Sequence, residues 1–255
     1  MKKQFRKNSP EGEHIVFGVH VVTEALEMGK GSTLCINSEA RKEIISTAKR
    51  MGIKVENMTT GELNLLCNGG NHQGVVLFVE GYKYQNWSEL IGLMESQQSG
   101  NRVIMVLDRI TDPRNLGAVL RSAFLNDVEA TLIPFSESAK VTSGTIKTSA
   151  GAALHTKVAR ANNLGKSLGQ LRELGFKVVG LSMDGSKPIY EADLTGDIVI
   201  VTGSEDKGIR PSLEAQCDEM LTIPMSSSSI GSFNASVSAS IALYEVRRQQ
   251  MIHKK

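Results

Sequence analysis

Short apolar runs alternate with helical patterns along the second half of the chain, and this alternation constrains the fold more than any other feature. The run RVIMVLD is almost wholly apolar, which is typical of a strand that a parallel sheet buries on both faces. Stretches such as NNLGKSLGQLRELG have the apolar spacing of an amphipathic helix. Further candidate strands are ATLIP, FKVVGLS, DIVIVTG and EMLTIP. The alternation predicts an α/β fold with a mostly parallel sheet and helices on both of its faces.

The first eighty residues show the same alternation on a smaller scale, from HIVFG to HQGVVLFVE. They are followed by WSELIGLMESQQSGN, a short amphipathic helix that ends in a polar stretch and leads into no further β/α unit. We therefore expect a small α/β domain over residues 1–80, a linker over 81–100 and a second domain over 101–255.

The composition is that of a folded globular protein, with 40 % hydrophobic and 22 % charged residues in a chain of 255. No apolar run reaches the roughly 20 residues that span a bilayer, and no apolar stretch of signal-peptide length follows the basic N-terminus. We expect a cytoplasmic protein without a membrane partner, with a short organelle presequence as the alternative. Because Cys35, Cys67 and Cys217 are widely spaced and have no histidine at ligand spacing, we expect buried thiols and no metal.

The stretch from Ala139 to Arg172 has a strong charge imbalance, although the net charge of the chain is only +2. It contains six basic residues and no acidic one. Such a stretch forms either a solvated face of the protein or a surface that binds a polyanion. If the polyanion is RNA, the candidate contacts are Lys140, Lys147, Lys157 and Arg160.

The stretch DPRNLGAVLRSA has the features of a helix start. Pro113 suits the preceding turn, and Asn115 suits the cap, where its side-chain oxygen would accept a backbone N–H. The apolar stripe predicted to face the core consists of Leu116, Val119, Leu120, Ala123 and Phe124. Arg121 lies away from that stripe, and its neighbours one turn away are the small or apolar Gly117, Ala118 and Leu125. Arg121 is therefore either a solvated cation or one that faces a phosphate, a developing oxyanion or a second subunit.

The stretch VTGSEDKGIRPS follows a predicted strand, at the end where open α/β sheets bind ligands. Gly203 and Gly208 have the spacing of a phosphate-binding loop, but Ile209 and Arg210 stand where that motif has Lys and Ser or Thr. No G-x-G-x-x-G motif follows a strand either. These departures argue against a nucleoside-triphosphate P-loop and against a conventional dinucleotide-binding fold.

A third stretch, IPMSSSSIGSFNAS, leads into the C-terminal helical pattern. Taken alone, it is a flexible serine-rich loop. In this order and at these separations, NLGAVLR, TGSEDKGIR and IPM…SFNAS resemble the three signature motifs of the SpoU branch of the SPOUT RNA methyltransferases. The N-terminal unit, with FGVHVVTEAL and HQGVVLF, is similar to the small L30e-like RNA-binding domain that precedes the catalytic domain in ribosomal RNA members. The resemblance therefore spans nearly the whole chain.

This resemblance implies an L30e-like domain followed by an α/β catalytic domain whose C-terminal segment is threaded into a trefoil knot. The knot forms the pocket for S-adenosylmethionine in that family. The resemblance also implies a homodimer with active sites at the subunit interface. One departure concerns the loop from Ser226 to Gly231, which has four serines and is one residue longer than usual. The conformation of that loop is not implied by the resemblance.

The resemblance implies site residues at the positions of this sequence that match the family's motifs. The catalytic residues are Asn115 and Arg121 in the first motif, Glu205 in the second, and Ser232 and Asn234 in the third. The cofactor-binding residues are Thr202, Gly203, Gly208, Ile223, Met225 and Phe233, where Phe233 replaces a usual leucine. The resemblance thus implies one site assembled from three separate stretches of the chain.

The reaction implied is in-line transfer of the sulfonium methyl group to a ribose 2′-hydroxyl of RNA. Because arginine is effectively never deprotonated, we expect Arg121 to clamp a phosphate and stabilise the incipient alkoxide, and Asn115 to hold its guanidinium. The expected substrate is a guanosine of 23S-type ribosomal RNA. The alternatives are a tRNA ribose, a different rRNA nucleotide, and a non-catalytic rRNA-binding assembly protein.

Overall fold

The computed structural model describes residues 13–37, 41–97, 100–226 and 232–252, which form two compact units. The first contains the chain up to Lys83 together with Val141–Leu154, and the second contains Tyr84–Lys140 and His155–Lys255. The boundaries at 80 and 101 stay a prediction.

The elements are numbered in chain order. The strands are β1 Glu13–Phe17, β2 Thr33–Ile36, β3 Lys54–Asn57, β4 Val75–Glu80, β5 Val103–Leu107, β6 Ala130–Pro134, β7 Val158–Ala161, β8 Lys177–Leu181, β9 Lys187–Pro188, β10 Ile198–Thr202 and β11 Glu219–Thr222. The helices are α1 Val19–Glu27, α2 Lys42–Arg50, α3 Thr60–Leu66, α4 Trp87–Ser96, α5 Pro113–Leu125, α6 Ser143–Thr148, α7 Leu164–Glu173, α8 Pro211–Glu214 and α9 Ala235–Ile252.

The first unit is built on a four-stranded sheet of order β1-β4-β2-β3. Strand β4 is antiparallel to both of its neighbours, whereas β2 and β3 are parallel. Helix α3 begins with a capping box in which Thr59 and Glu62 satisfy each other's backbone N–H groups. The alternation of strands and helices predicted for the first eighty residues is confirmed.

Helix α6 belongs to the first unit, although it follows β6 in the chain. The ammonium group of Lys147 lies over the ring of Phe17, 4.2 Å from its centroid. The ammonium of Lys30 donates a 2.6 Å hydrogen bond to the carbonyl of Leu154, and burial lowers the pKa of that lysine. A cation–π contact and a partly buried hydrogen bond thus fix this segment on the unit.

The second unit contains a seven-stranded sheet of order β7-β6-β5-β10-β8-β11-β9, and every described pair in it is parallel. Strands β5, β6 and β10 are buried along their whole lengths. The predicted mostly parallel sheet is confirmed. The sequence pattern did not reveal β7, which contains Arg160, or the two-residue β9.

Helices cover both faces of this sheet. Ile104 and Val106 pack in a core with Leu90 of α4 and Leu168 of α7. Their neighbours in β5 point to the opposite face, because side chains alternate along a strand. Helix α9 packs against β10 and α5. No helix in the described ranges is both long and apolar enough to cross a membrane.

Parallel strands bring all of their carboxyl ends to one edge of the sheet. Asp108 follows β5 there, Phe135 follows β6, Gly203 follows β10, and Ile223 follows β11. The motifs that are distant in the sequence therefore meet at this edge.

Candidate active site

A cavity of about 310 Å³ lies at the carboxyl ends of β8, β10 and β11. Its volume is at the lower end of the range for small-molecule sites. Predicted cofactor-binding residues contribute side chains or backbone to its wall. The lining includes all six of them, namely Thr202, Gly203, Gly208, Ile223, Met225 and Phe233, and also the predicted catalytic residues Glu205 and Ser232.

The loop after β10 closes on itself because of its two glycines. The backbone N–H of Gly208 donates to the carbonyl of Ser204 over 2.9 Å, and the N–H of Ser204 donates to the carbonyl of Gly208 over 3.2 Å. A Cβ atom at Gly203 would overlap the carbonyl group of Gly208 and the amide nitrogen of Ile209. Gly208 has φ +61°, in the left-handed region that favours glycine. Both glycines are therefore needed for the path of the backbone.

Asp108 anchors this loop, and the sequence analysis missed it. Its carboxylate is fully buried and accepts hydrogen bonds from the backbone N–H of Arg210 at 2.9 Å and from the Nε of Arg210 at 2.8 Å. The hydrogen bond with Asp108 raises the pKa of the Arg210 guanidinium above its ordinary value. The sequence feature that could have indicated Asp108 is its position as an acidic residue directly after the apolar run that forms β5. The pair joins the loop after β10 to the end of β5.

Glu205 connects the three predicted motifs. Its Oε1 accepts a 3.0 Å hydrogen bond from the side-chain amide of Asn115, and another from the side-chain amide of Asn234. The backbone N–H of Ala235, at the start of α9, lies 3.4 Å from the same oxygen. The amide of Asn234 also donates to Oδ1 of Asn115 over 3.1 Å. The structure therefore brings together Asn115, Glu205 and Asn234.

The helix that carries Asn115 does not begin where the sequence indicated. Its cap is Asp112, whose carboxylate accepts the backbone N–H of Arg114 at 2.8 Å, and Pro113 occupies the first helical position. Proline suits that position because the first N–H groups of a helix have no partner within it. The expectation that Asn115 caps the helix is wrong, and its amide is free to bond across to Glu205.

Arg121 stands apart from this cluster. It is exposed and makes no hydrogen bond or ion pair with a residue in the described ranges. The expectation that Asn115 holds its guanidinium is not met within the described chain, because the Asn115 amide bonds Glu205 instead. One further expectation about α5 is wrong, because Phe124 is 45 % exposed rather than in the core.

The predicted RNA-binding residues are divided between the two units. Lys147 belongs to the first unit, whereas Lys140, Lys157 and Arg160 belong to the second. Lys157 forms a 2.6 Å ion pair with Glu129. An acid-free stretch of sequence is thus partly neutralised by an acidic residue that immediately precedes β6. Arg160 contacts the rings of Phe135 and Tyr84.

Residues 227–231 of the serine-rich loop lie outside the described residues, so the structure does not bear on most of that loop. The described residues contain no group of histidine, cysteine and acidic side chains arranged to hold a metal ion.

Burial raises the pKa of Cys217 to about 12 and that of Cys67 to about 11. Both are free thiols.

Comparison with known families gives two matches, one for each part of the chain. Residues 102–244 match the model of the SpoU rRNA methylase family. Residues 15–85 match the model described as RNA 2′-O ribose methyltransferase substrate binding. The first match alone covers more than half of the chain.

Two curated relatives align over nearly the whole chain. A protein of Acinetobacter baylyi named 23S rRNA (guanosine-2′-O-)-methyltransferase RlmB is 35 % identical, over 92 % of this chain and 97 % of its own. A tRNA/rRNA methyltransferase of Mycolicibacterium vanbaalenii, named as uncharacterized, is 37 % identical over 97 % of this chain and 80 % of its own.

Among solved structures, the SpoU methyltransferase AviRb from Streptomyces viridochromogenes, crystallised with AdoMet, superposes with a TM-score of 0.81. The likeness covers 98 % of both chains at 22 % identity. At this identity the likeness concerns the fold alone, and it confirms the fold class predicted from the sequence.

Proposed function

The chain belongs to the SpoU rRNA methylase family, and from this premise we propose that it transfers a methyl group from S-adenosylmethionine to the ribose 2′-hydroxyl of a guanosine in 23S-type ribosomal RNA. The observation that carries this proposal is the convergence of three separated motifs at the carboxyl edge of one parallel sheet. Asn115, Glu205 and Asn234 bond one another there, beside the cavity that Glu205 lines.

The cavity suits S-adenosylmethionine in size and in chemistry. Apolar side chains of Ile223, Met225 and Phe233 offer a surface for a nucleobase, and the space beside Gly208 is open because that residue has no side chain. The lining also contains acidic groups that suit the positive charge of a sulfonium, including Glu205 and Asp206. When bound, S-adenosylmethionine supplies an electrophilic methyl group, which is chemistry that no side chain provides.

Arg121 acts on the RNA. A ribose hydroxyl is a weak nucleophile at neutral pH, so the site stabilises the oxyanion that develops as the hydroxyl attacks. The guanidinium of Arg121 is exposed and permanently charged, and it binds the phosphate beside the target ribose and the developing alkoxide.

The cluster of Asn115, Glu205 and Asn234 holds three loops in register for this reaction. The carboxylate of Glu205 faces N–H donors from α5 and from the start of α9, where the helix dipole favours negative charge. The Oδ1 of Asn234 also accepts the backbone N–H of Ser236 at 2.9 Å, so the same side chain caps α9. Removal of one member breaks the link between the loops that it joins.

The protein acts as a homodimer through α5 and α9. These helices leave large apolar side chains in solvent, with Leu125 72 %, Tyr244 65 % and Met251 71 % exposed. Apolar surface of this kind marks protein–protein interfaces. Leu125 lies one helical turn after Arg121 and on the same side of α5. Arg121 thus lies on the proposed dimer face, and we propose that it acts at the active site of the partner subunit.

Ribosomal RNA in the cytoplasm is the proposed substrate, for two reasons. The Acinetobacter relative, which aligns over 97 % of its length, is named for a guanosine of 23S rRNA. The first unit carries the match to a substrate-binding domain, which supplies affinity for a folded RNA beyond the catalytic domain.

The test uses labelled S-adenosylmethionine with unmodified 23S-type rRNA and, separately, with unmodified tRNA. We expect label in the large rRNA at a single guanosine. Its position is mapped because a 2′-O-methyl group blocks RNA cleavage that requires the free 2′-hydroxyl. Label in tRNA alone would contradict the assignment of rRNA as the substrate. Transfer to neither RNA, together with specific binding of the rRNA, would favour the non-catalytic assembly protein.

A further inference from the structure

The end of β6 carries an exposed aromatic ring that rests on a cation. The guanidinium carbon of Arg160, in β7, lies 4.3 Å from the ring centroid of Phe135 and 5.2 Å from that of Tyr84. The Nη2 of Arg160 also donates a 2.6 Å hydrogen bond to the backbone carbonyl of Phe135. We call Phe135, Arg160 and Tyr84 the Phe135 platform.

The ring of Phe135 is held in place without being buried. Arg160 covers one of its faces, yet the residue remains 49 % exposed. Arg160 forms no ion pair with an acidic residue in the described ranges, and its Nε is buried without a hydrogen-bond partner among them. The platform therefore combines a half-exposed aromatic ring with a positive charge that forms no ion pair within the described part of the chain.

The platform adjoins the candidate active site. Strand β6 is the neighbour of β5 and is two strands from β10, a separation of about 10 Å. The loop that follows Phe135 contacts the loops of the site. The N–H of Ala139 donates to the carbonyl of Ile110 over 2.7 Å, and the carboxylate of Glu137 lies 3.8 Å from Nη2 of Arg210.

We propose that the Phe135 platform stacks an unpaired base of the RNA substrate next to the methylated nucleotide, with Arg160 attracting the adjoining phosphate. This inference rests on the proposed function, because it takes RNA to be the substrate. Proteins that bind unpaired RNA use exposed aromatic rings on which bases stack, with arginine adding cation–π and phosphate interactions.

The experiment compares Phe135→Leu with Phe135→Trp in the full-length protein. Leucine keeps an apolar side chain but removes the π face, whereas tryptophan enlarges that face. Loss of one stacked base corresponds to about 5- to 100-fold weaker binding, so we expect the Kd and KM for unmodified 23S-type rRNA to rise by that factor in Phe135→Leu. In Phe135→Trp we expect both values to stay at the wild-type level. The Kd for S-adenosylmethionine stays unchanged in both variants.

The matched control is Tyr190→Leu, which removes an aromatic ring that is 59 % exposed beside β9, at the far edge of the sheet. We expect it to bind and methylate rRNA normally. Tryptophan fluorescence adds a direct readout, since Trp87 is the one native tryptophan and gives the baseline. Stacking predicts that rRNA quenches the additional emission of Phe135→Trp. Thermal unfolding verifies that each variant is folded.

The outcomes separate this inference from the proposed function. Wild-type rRNA affinity and KM in folded Phe135→Leu would overturn the platform while leaving methyl transfer intact, and would mean that the cation–π contact only fixes the loop. Absence of methyl transfer by the wild-type protein would overturn the proposed function, and the binding and quenching measurements would then still decide whether the platform contacts RNA.

Discussion

The side-chain amide of Asn115 donates a 3.0 Å hydrogen bond to the carboxylate of Glu205, a residue 90 positions later in the chain. Neither residue is buried deeply enough to contribute to the core. The bond instead ties the first turn of α5 to the loop after β10, and Asn234 at the start of α9 joins both. The proposed site depends on this three-way junction.

Replacement of Asn115 by aspartate tests the junction. Asn115→Asp keeps the shape of the side chain but places a second carboxylate against Glu205, so we expect kcat to fall about 10- to 100-fold, the value of a hydrogen bond to a charged group. The control is Asn163→Asp, the same substitution at the cap of α7, where aspartate caps equally well. Steady-state methyl transfer measures both. Equal activity of the two variants would contradict the role of the junction.

Arg121→Ala separates binding from transfer. The side chain does not line the cavity and is exposed, so we expect normal folding and normal S-adenosylmethionine affinity by calorimetry. Methyl transfer falls roughly 100-fold or more, the scale for removal of one group that stabilises an oxyanion. Arg114→Ala, in the same helix and paired with its neighbour Asp112, serves as the control. Lost cofactor binding with normal transfer per bound cofactor would refute the assignment.

Gly203→Ala tests the path of the loop at the cavity. The added Cβ would overlap backbone atoms of Gly208 and Ile209, which cannot move independently of the loop. We expect a loss of cofactor affinity of at least about tenfold, since the loop lines the cavity. Gly92→Ala is the matched control in α4, where a Cβ meets no described heavy atom within 4 Å. This control should raise stability by about 0.5–1 kcal/mol. Unchanged cofactor affinity in Gly203→Ala would show that the loop does not shape the pocket.

The proposed dimer predicts the effect of a charge on its apolar face. Leu125→Glu should convert a dimer at micromolar concentration into a monomer by light scattering, whereas Leu93→Glu, at a 56 % exposed position on α4, should leave the dimer intact. If Arg121 acts across the interface, a mixture of inactive Arg121→Ala and Glu205→Gln subunits should regain about a quarter of wild-type activity by forming mixed dimers. A fully active monomeric wild-type protein would rule out this arrangement.

The sequence predicted the strands that form the middle of the large sheet, because RVIMVLD and DIVIVTG are apolar runs of a kind that only a buried strand explains well. The residues that the family resemblance assigns to cofactor binding line the cavity, and periodicity alone would not have selected them. The knot implied by that resemblance has no counterpart in any local pattern, since a helix or strand has the same pattern of apolar residues in a knotted chain as in an unknotted one.

Other features depended on partners distant in the chain. Asn115 has the chemistry of a cap, but Asp112 precedes a proline that fixes the helix start, and only the fold reveals Glu205 as the partner of Asn115. The charge of Lys157 is offset by Glu129, which no reading of the 139–172 stretch could include. Phe124 fits the apolar stripe on a helical wheel, yet it lies on the exposed border of α5.

The identity of the methylated atom is the most direct test of the proposed function. Unmodified 23S-type rRNA is incubated with the protein and isotopically labelled S-adenosylmethionine, digested to nucleosides, and analysed by mass spectrometry. We predict label in 2′-O-methylguanosine, and loss of that label when the target residue is replaced by 2′-deoxyguanosine, since the 2′-hydroxyl is the proposed nucleophile. Label in a base-methylated guanosine, or label that persists on the 2′-deoxy substrate, would contradict it.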